Sequence, residues 1–194
     1  MPYDPDATRA RILDAATEEF AGHGLAGARV DRIAAAAGCS KERLYAHVGD
    51  KTALFETVLH ESFASLGRAA AAADADTVED FAVAVFDHIA DHPANQRLLD
   101  WARLEREHDW SASVETLRAT RDEAVRRLEG YGVVDGSPWS VDDVFALVVG
   151  LATAWVHLPA GAHPEDAQRA GVVAPVREHQ REVVREAVRR LLSR

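Results

Sequence analysis

Apolar residues in this chain recur at the spacing of a helix. Ile12, Ala16 and Phe20 fall at i, i+4 and i+8, and β-branched residues do not alternate with polar ones, so the spacing predicts an all-α fold. Punctuation then divides the helices. Asp6 is placed to cap a first helix that Gly22 and Gly24 end, Val30–Ala37 makes a second closed by Gly38, and 40–48 a third closed by Gly49. A fourth spans about 50–73 with Leu54, Phe55, Val58, Leu59, Ser62, Phe63 and Leu66 at helical spacing.

Residues 71–76 are small and acidic and read as a joint. Thr77, Val78, Glu79 and Asp80 then form a capping-box-like start to a helix carrying Phe81, Val85, Phe86 and Ile89. Pro93 opens another, with Leu98, Leu99, Trp101, Ala102 and Leu104, and Ser111 or Ser113 caps a helix running to Gly130. A turn at 130–138 precedes the helix start at Ser140, and a loop from Pro159 to Pro164 leads to a last helix from about Pro175.

The helix after Ser140 is apolar on nearly every side and must be covered all round. The last helix, with Val176, Val183, Val184, Ala187, Val188 and Leu191 on one stripe, shelters only part of it. Two arrangements meet that need. Both helices pack inside one chain, or four helices pack about a two-fold axis with a second copy, making Val148, Leu151, Val176, Val183, Val184, Ala187, Val188 and Leu191 an interface.

Charge narrows the partners. The net charge is -10, which argues against general coating of nucleic acid. Residues 1–55 nevertheless hold seven Lys/Arg against eight Asp/Glu, so the acidity lies further along. Both lysines, Lys41 and Lys51, fall in this near-neutral part. The polar N-terminus does not read as a signal peptide, and the longest nearly apolar run, 144–156, is 13 residues, short of the roughly 20 that cross a bilayer. No membrane partner is expected, and the lone Cys39 fits a reducing, cytoplasmic setting.

The stretch "IAAAAGCSKERLYAHVGDK" has the form of a helix-turn-helix. Gly38 permits a left-handed corner, Ser40 caps the next helix, and Leu44 and Val48 point inward toward Ile33 and Phe20. Lys41, Glu42, Arg43, Tyr45, Ala46 and His47 are left outside. Lys41 and Arg43 suit guanine O6 and N7, and Glu42 suits a cytosine amino group. Tyr45 and His47 suit phosphate oxygens, as does Lys51 beside a helix N-terminus.

The run "RILDAATEEFAGHGLAGARVDRIAAAAGCSKERLYAHVGDKTALF" resembles the N-terminal domain of TetR-family bacterial transcriptional regulators over about 6–66, with the motif at about 29–48. The resemblance implies a homodimer that sets two recognition helices in successive major grooves of a pseudo-palindromic operator. It further implies a variable domain, here 77–194, that binds a small-molecule effector. It assigns DNA contact to Arg29, Lys41, Glu42, Arg43, Tyr45, His47 and Lys51. Three positions depart from the family pattern: Arg29 where threonine is frequent, Glu42 where a small residue is common, and Val48 for phenylalanine.

The family's ligand lies between helices, so aromatic residues near polar ones become pocket candidates: Phe81, Phe86, Trp101, Leu104, Trp110, Leu117, Arg121, Phe145, Trp155 and His157. Each is equally a core-filling side chain. An indole N–H needs a partner when buried, which singles out Trp101 and Trp155. The expected effector is largely apolar with one polar handle. His88 and His92 lie i, i+4, but no third metal ligand stands near, so no metal or cofactor is assigned. The expected function is a ligand-released repressor associated with the nucleoid. A TetR-like fold acting through a protein partner and a helical-bundle enzyme are the rivals, the latter without an evident catalytic set.

Overall fold

In the computed structural model, residues 5–72, 75–105, 111–133, 138–158 and 176–193 are described. They form nine helices and no strand: α1 (Pro5–Gly27), α2 (Val30–Ala37), α3 (Lys41–Val48), α4 (Lys51–Ala72), α5 (Val78–Asp91), α6 (Pro93–Leu104), α7 (Ser111–Gly130), α8 (Val141–Thr153) and α9 (Val176–Leu192). The chain makes two compact units. Met1–Ala64 and His92–Arg118 compose the first, and Ser65–Asp91 and Ala119–Arg194 the second. Within the first unit, α6 packs on α1.

Local chemistry sets most helix ends. Gly38 sits at φ 66°, ψ 37°, and the Gly38 and Cys39 amides donate to Ala35 and Ala34 carbonyls, the double closure of a Schellman end. Ser40 Oγ accepts from the Arg43 amide at 3.3 Å and starts α3. Asp50 and Thr77 accept from the amides of Ala53 (2.8 Å) and Asp80 (3.2 Å). Ser140 and Asp143 complete a reciprocal capping box on α8.

Four boundaries differ from expectation. Asp6 lies in the first turn of α1 rather than at its cap, and Gly22 does not stop the helix. Gly24 bends α1 at φ 63°, ψ -178°, and helical hydrogen bonding resumes to Gly27. Ser113 is inside α7, buried, with its hydroxyl donating to the Glu56 carbonyl at 3.2 Å. α8 ends at Thr153 instead of near Val156, and tight i→i+3 bonds follow, Ala154 to Leu151 and Val156 to Thr153. The loop at 159–164, Pro175 and Trp110 lie outside the described residues.

The first unit is built on Ile12, Ala16, Phe20, Ile33, Leu44, Leu54, Phe55, Val58, Leu59 and Leu98, with the Phe20 and Phe55 rings edge to face at 5.0 Å. Val48 and Cys39 pack partly buried against this core, which fits Cys39 as a small apolar turn residue. The second unit gathers Phe81, Phe86, Ile89, Leu128, Val144, Val148, Val184 and Val188. Burial of each Val, Leu, Ile or Phe among them contributes about 1.5–3 kcal/mol.

Among the described residues, no helix is long and apolar enough to cross a membrane.

Candidate nucleic-acid interface

Leu44 is the one buried residue of α3, and with the half-buried Val48 it fixes this two-turn helix to the core of the first unit. Lys41, Glu42, Arg43, Tyr45 and Ala46 are exposed, and His47 and Val48 are half-buried. The outward side of α3 is therefore a polar face.

Several charged groups on this surface are already engaged. Lys41 Nζ lies 2.9 Å from Asp31 Oδ1 of α2, an exposed ion pair that raises the lysine pKa. Glu42 is held below the ordinary carboxylate range by its own backbone N–H and the Ser40 hydroxyl. That places its carboxylate at the N-terminal end of α3, where the helix dipole favours a negative charge. Lys51 Nζ donates to the carbonyls of Ala28 at 3.3 Å and Ala26 at 3.5 Å, so it fastens the turn before α2.

Arg29 is the N-cap of α2 and makes no side-chain cap. Glu19 of α1 supplies one instead. Its Oε1 accepts from the Arg29 amide at 2.8 Å, and its carboxylate receives Arg32 Nε at 2.9 and 3.0 Å. The Arg32 hydrogen bond lowers the Glu19 pKa. Sequence reading missed Glu19 because its partners lie 10 and 13 residues away, beyond any local capping pattern. An open groove beside it, lined by Arg11, Asp14, Ala15, Glu18, Glu19, Arg32 and Ala36, carries both signs of charge.

The remaining candidates separate. Trp101 and Leu104 lie on α6 and Leu117 on the first-unit part of α7. Trp101 Nε1 donates to the Ala21 carbonyl at 3.2 Å within the first unit. Leu104 is 74% exposed and Leu117 41%, so neither lines an enclosed cavity in the chain by itself. In the second unit Phe86 and Trp155 meet edge to face at 5.5 Å, with Phe81 buried and Phe145 half-buried in the same cluster. Arg121 pairs with Asp122 and Asp142, and His157 is exposed with its Nδ1 3.0 Å from the Thr153 carbonyl.

Val148, Val176, Val184 and Val188 are buried within the chain. Leu151, Ala187 and Leu191 are half-buried, and Val183 is exposed. Leu147 on α8, absent from the expected interface, is exposed as well. Among the described residues no cluster of three or more His, Cys, Asp or Glu forms a metal site.

Residues 12–58 match the family described as bacterial regulatory proteins, tetR family, and residues 77–190 match tetracyclin repressor-like, C-terminal domain. The chain is 39% identical over 148 residues to the HTH-type transcriptional repressor SCO4008 of Streptomyces coelicolor, covering 75% of this chain and 77% of that one. The structure of SCO4942 from Streptomyces coelicolor superposes with a TM-score of 0.72 at 37% identity, covering 95% of this chain and 97% of that chain. PfmR of Thermus thermophilus, described as a TetR family transcriptional regulator, has the same fold, with a TM-score of 0.70 at 20% identity over 95% of this chain and 100% of its own.

Proposed function

The chain belongs to the TetR family of bacterial regulatory proteins, and from that premise we propose that it is a homodimeric repressor whose two α3 helices enter successive major grooves of a pseudo-palindromic operator. Residues 6–66 serve as the DNA-binding domain and 77–194 as the effector and dimerisation domain. The observation that carries this reading is the outer side of α3: Lys41, Glu42, Arg43 and Tyr45 are exposed and His47 half-buried, while Leu44 alone is buried. Arg43 and Lys41 read base edges, Tyr45 and His47 position on phosphate, and Arg29 and Lys51 flank them.

Two details of the site refine those roles. Lys41 must exchange Asp31 for DNA, so its net contribution is smaller than that of an unpaired lysine. Glu42, engaged at the start of α3, is better suited to stabilising the N-terminal end of that helix than to reading cytosine. The effector is a small, largely apolar molecule, and the second-unit aromatics Phe86, Phe145 and Trp155 are the nearest candidates for it. Release follows if the effector binds the non-DNA-binding conformation more tightly.

A duplex selected by the protein from a random pool tests the assignment. Tyr45→Ala is expected to weaken binding to it by about tenfold and to reduce the salt dependence. Retardation by Tyr45→Ala equal to that of the parent at every salt concentration would refute the docking surface.

A further inference from the structure

Helical φ/ψ breaks at Gly24 and helical hydrogen bonding resumes after it to Gly27, so the amides that open the resumed turn need partners from elsewhere. Side chains from distant segments supply them. Glu105, just after α6, accepts the Leu25 amide at 2.9 Å and the Ala26 amide at 3.3 Å through Oε1. These are the first amides after the bend, so Glu105 acts as an N-cap delivered from 80 residues away. Trp101, one turn earlier on α6, donates to the Ala21 carbonyl on the other side of the bend. Its ring occupies the space of a side chain at position 24: a Cβ there would stand 2.7 Å from Cε3 and 2.8 Å from Cδ2. Glu105 Oε2 is buried with no hydrogen-bond partner among the described residues, so the two amides are what hold the carboxylate.

We infer that Trp101 and Glu105 form a clamp on the Gly24 bend and are positioning residues for DNA recognition. Both lie outside 12–58, the stretch that matches the DNA-binding family, yet they complete its backbone. The bend sets where α1 delivers the chain to Arg29 at the head of α2, and α2 packs against α3. A clamp that fixes the bend therefore fixes the direction in which the exposed side of α3 points. The inference rests on the operator-binding reading above, and its sign separates it from simple electrostatics. Glu105 is acidic, so charge alone predicts that removing it strengthens attraction to phosphate, whereas loss of the clamp weakens specific binding.

The test compares full-length parent, Glu105→Ala, Glu105→Gln and Trp101→Phe. Each is titrated against the duplex that the parent selects from a random pool and against a random-sequence duplex of equal length, with amide hydrogen exchange followed at Leu25 and Ala26. Glu105→Ala is expected to lose about tenfold on the selected duplex and little on the random one. Its Leu25 and Ala26 amides are expected to exchange faster. Glu105→Gln, which keeps an acceptor oxygen in place, recovers part of both effects, and Trp101→Phe, which lacks the indole N–H, loses specificity in the same direction. Equal or tighter binding of the selected duplex by Glu105→Ala overturns the positioning role. Unchanged exchange in that variant overturns the clamp even if the parent binds operator as proposed. A parent that prefers no duplex refutes the regulator reading instead, and the exchange result then still decides the clamp.

Discussion

Gly24 combines a backbone angle that side chains resist with a site already filled by an indole. At φ 63° an alanine is strained, and its Cβ meets Trp101 at 2.7 Å. Gly24→Ala is expected to destabilise the protein by at least about 1–2 kcal/mol, read as a lower urea midpoint at constant m value. Glu19 supplies a second residue-scale prediction. Its hydrogen bond from Arg32 lowers its folded pKa below the ordinary 4.5. The stabilisation is therefore complete above that ordinary value and is lost as pH falls through the lower folded value. Urea unfolding across an acid series should show parent stability falling more steeply than that of Glu19→Gln below about pH 4.5. Equal slopes would remove Glu19 from the acid response.

Among the helices, α8 and α9 illustrate two kinds of attachment. The start of α8 is held by Ser140, whose hydroxyl accepts from the Asp143 amide at 3.1 Å while Asp143 accepts the Ser140 amide at 2.8 Å. Ser140→Ala should cost about 1 kcal/mol in thermal or chemical unfolding. α9 is aligned on α5 by three arginines one turn apart. Arg177 reaches Asp91 at 2.5 Å and Asp87 at 3.1 Å, Arg181 reaches Asp87 at 3.3 Å, and Arg185 reaches Asp80 at 3.3 Å. Beneath them Val184 and Val188 are fully buried, so apolar contact holds the helix and the ion pairs set its register. Added NaCl should lower the melting temperature of the parent more than that of a variant with all three arginines changed to glutamine.

On the scale of the whole molecule, the interface question turns on what one chain leaves uncovered. Leu147 of α8 is 36% exposed and Val183 of α9 is 39% exposed, after Val148, Val184 and Val188 have been used inside the chain. If two copies pair through these helices, Leu147→Glu together with Val183→Glu should yield monomers in sedimentation while helix content is retained. A parent that sediments as a monomer would remove the two-fold operator geometry with it. The end of the second helix and both ends of the third were legible because their determinants lie within a few residues: Gly38, Ser40 and Gly49 close or open them, and Leu44 is the buried residue of α3. Which apolar residues of α8 and α9 the chain leaves exposed was only partly legible. Periodicity places Val148 and Val183 on apolar helices alike, and nothing local distinguishes a residue facing its own chain from one facing a copy.

Sequence by itself therefore determined the helices, the ends set by Gly38, Ser40, Gly49, Thr77 and Ser140, and the polar set from Lys41 to Tyr45, because these are decided by neighbours one to four positions apart. Tertiary structure alone decided that α1 bends at Gly24 rather than ending at Gly22, that Trp101 belongs to the scaffold of the first unit, and that Glu105 caps a turn 80 residues earlier. The physical reason is that an unsatisfied amide or an occupied volume can be met by any side chain the fold brings near. Which one arrives depends on how distant helices pack, and spacing along the chain holds no record of it.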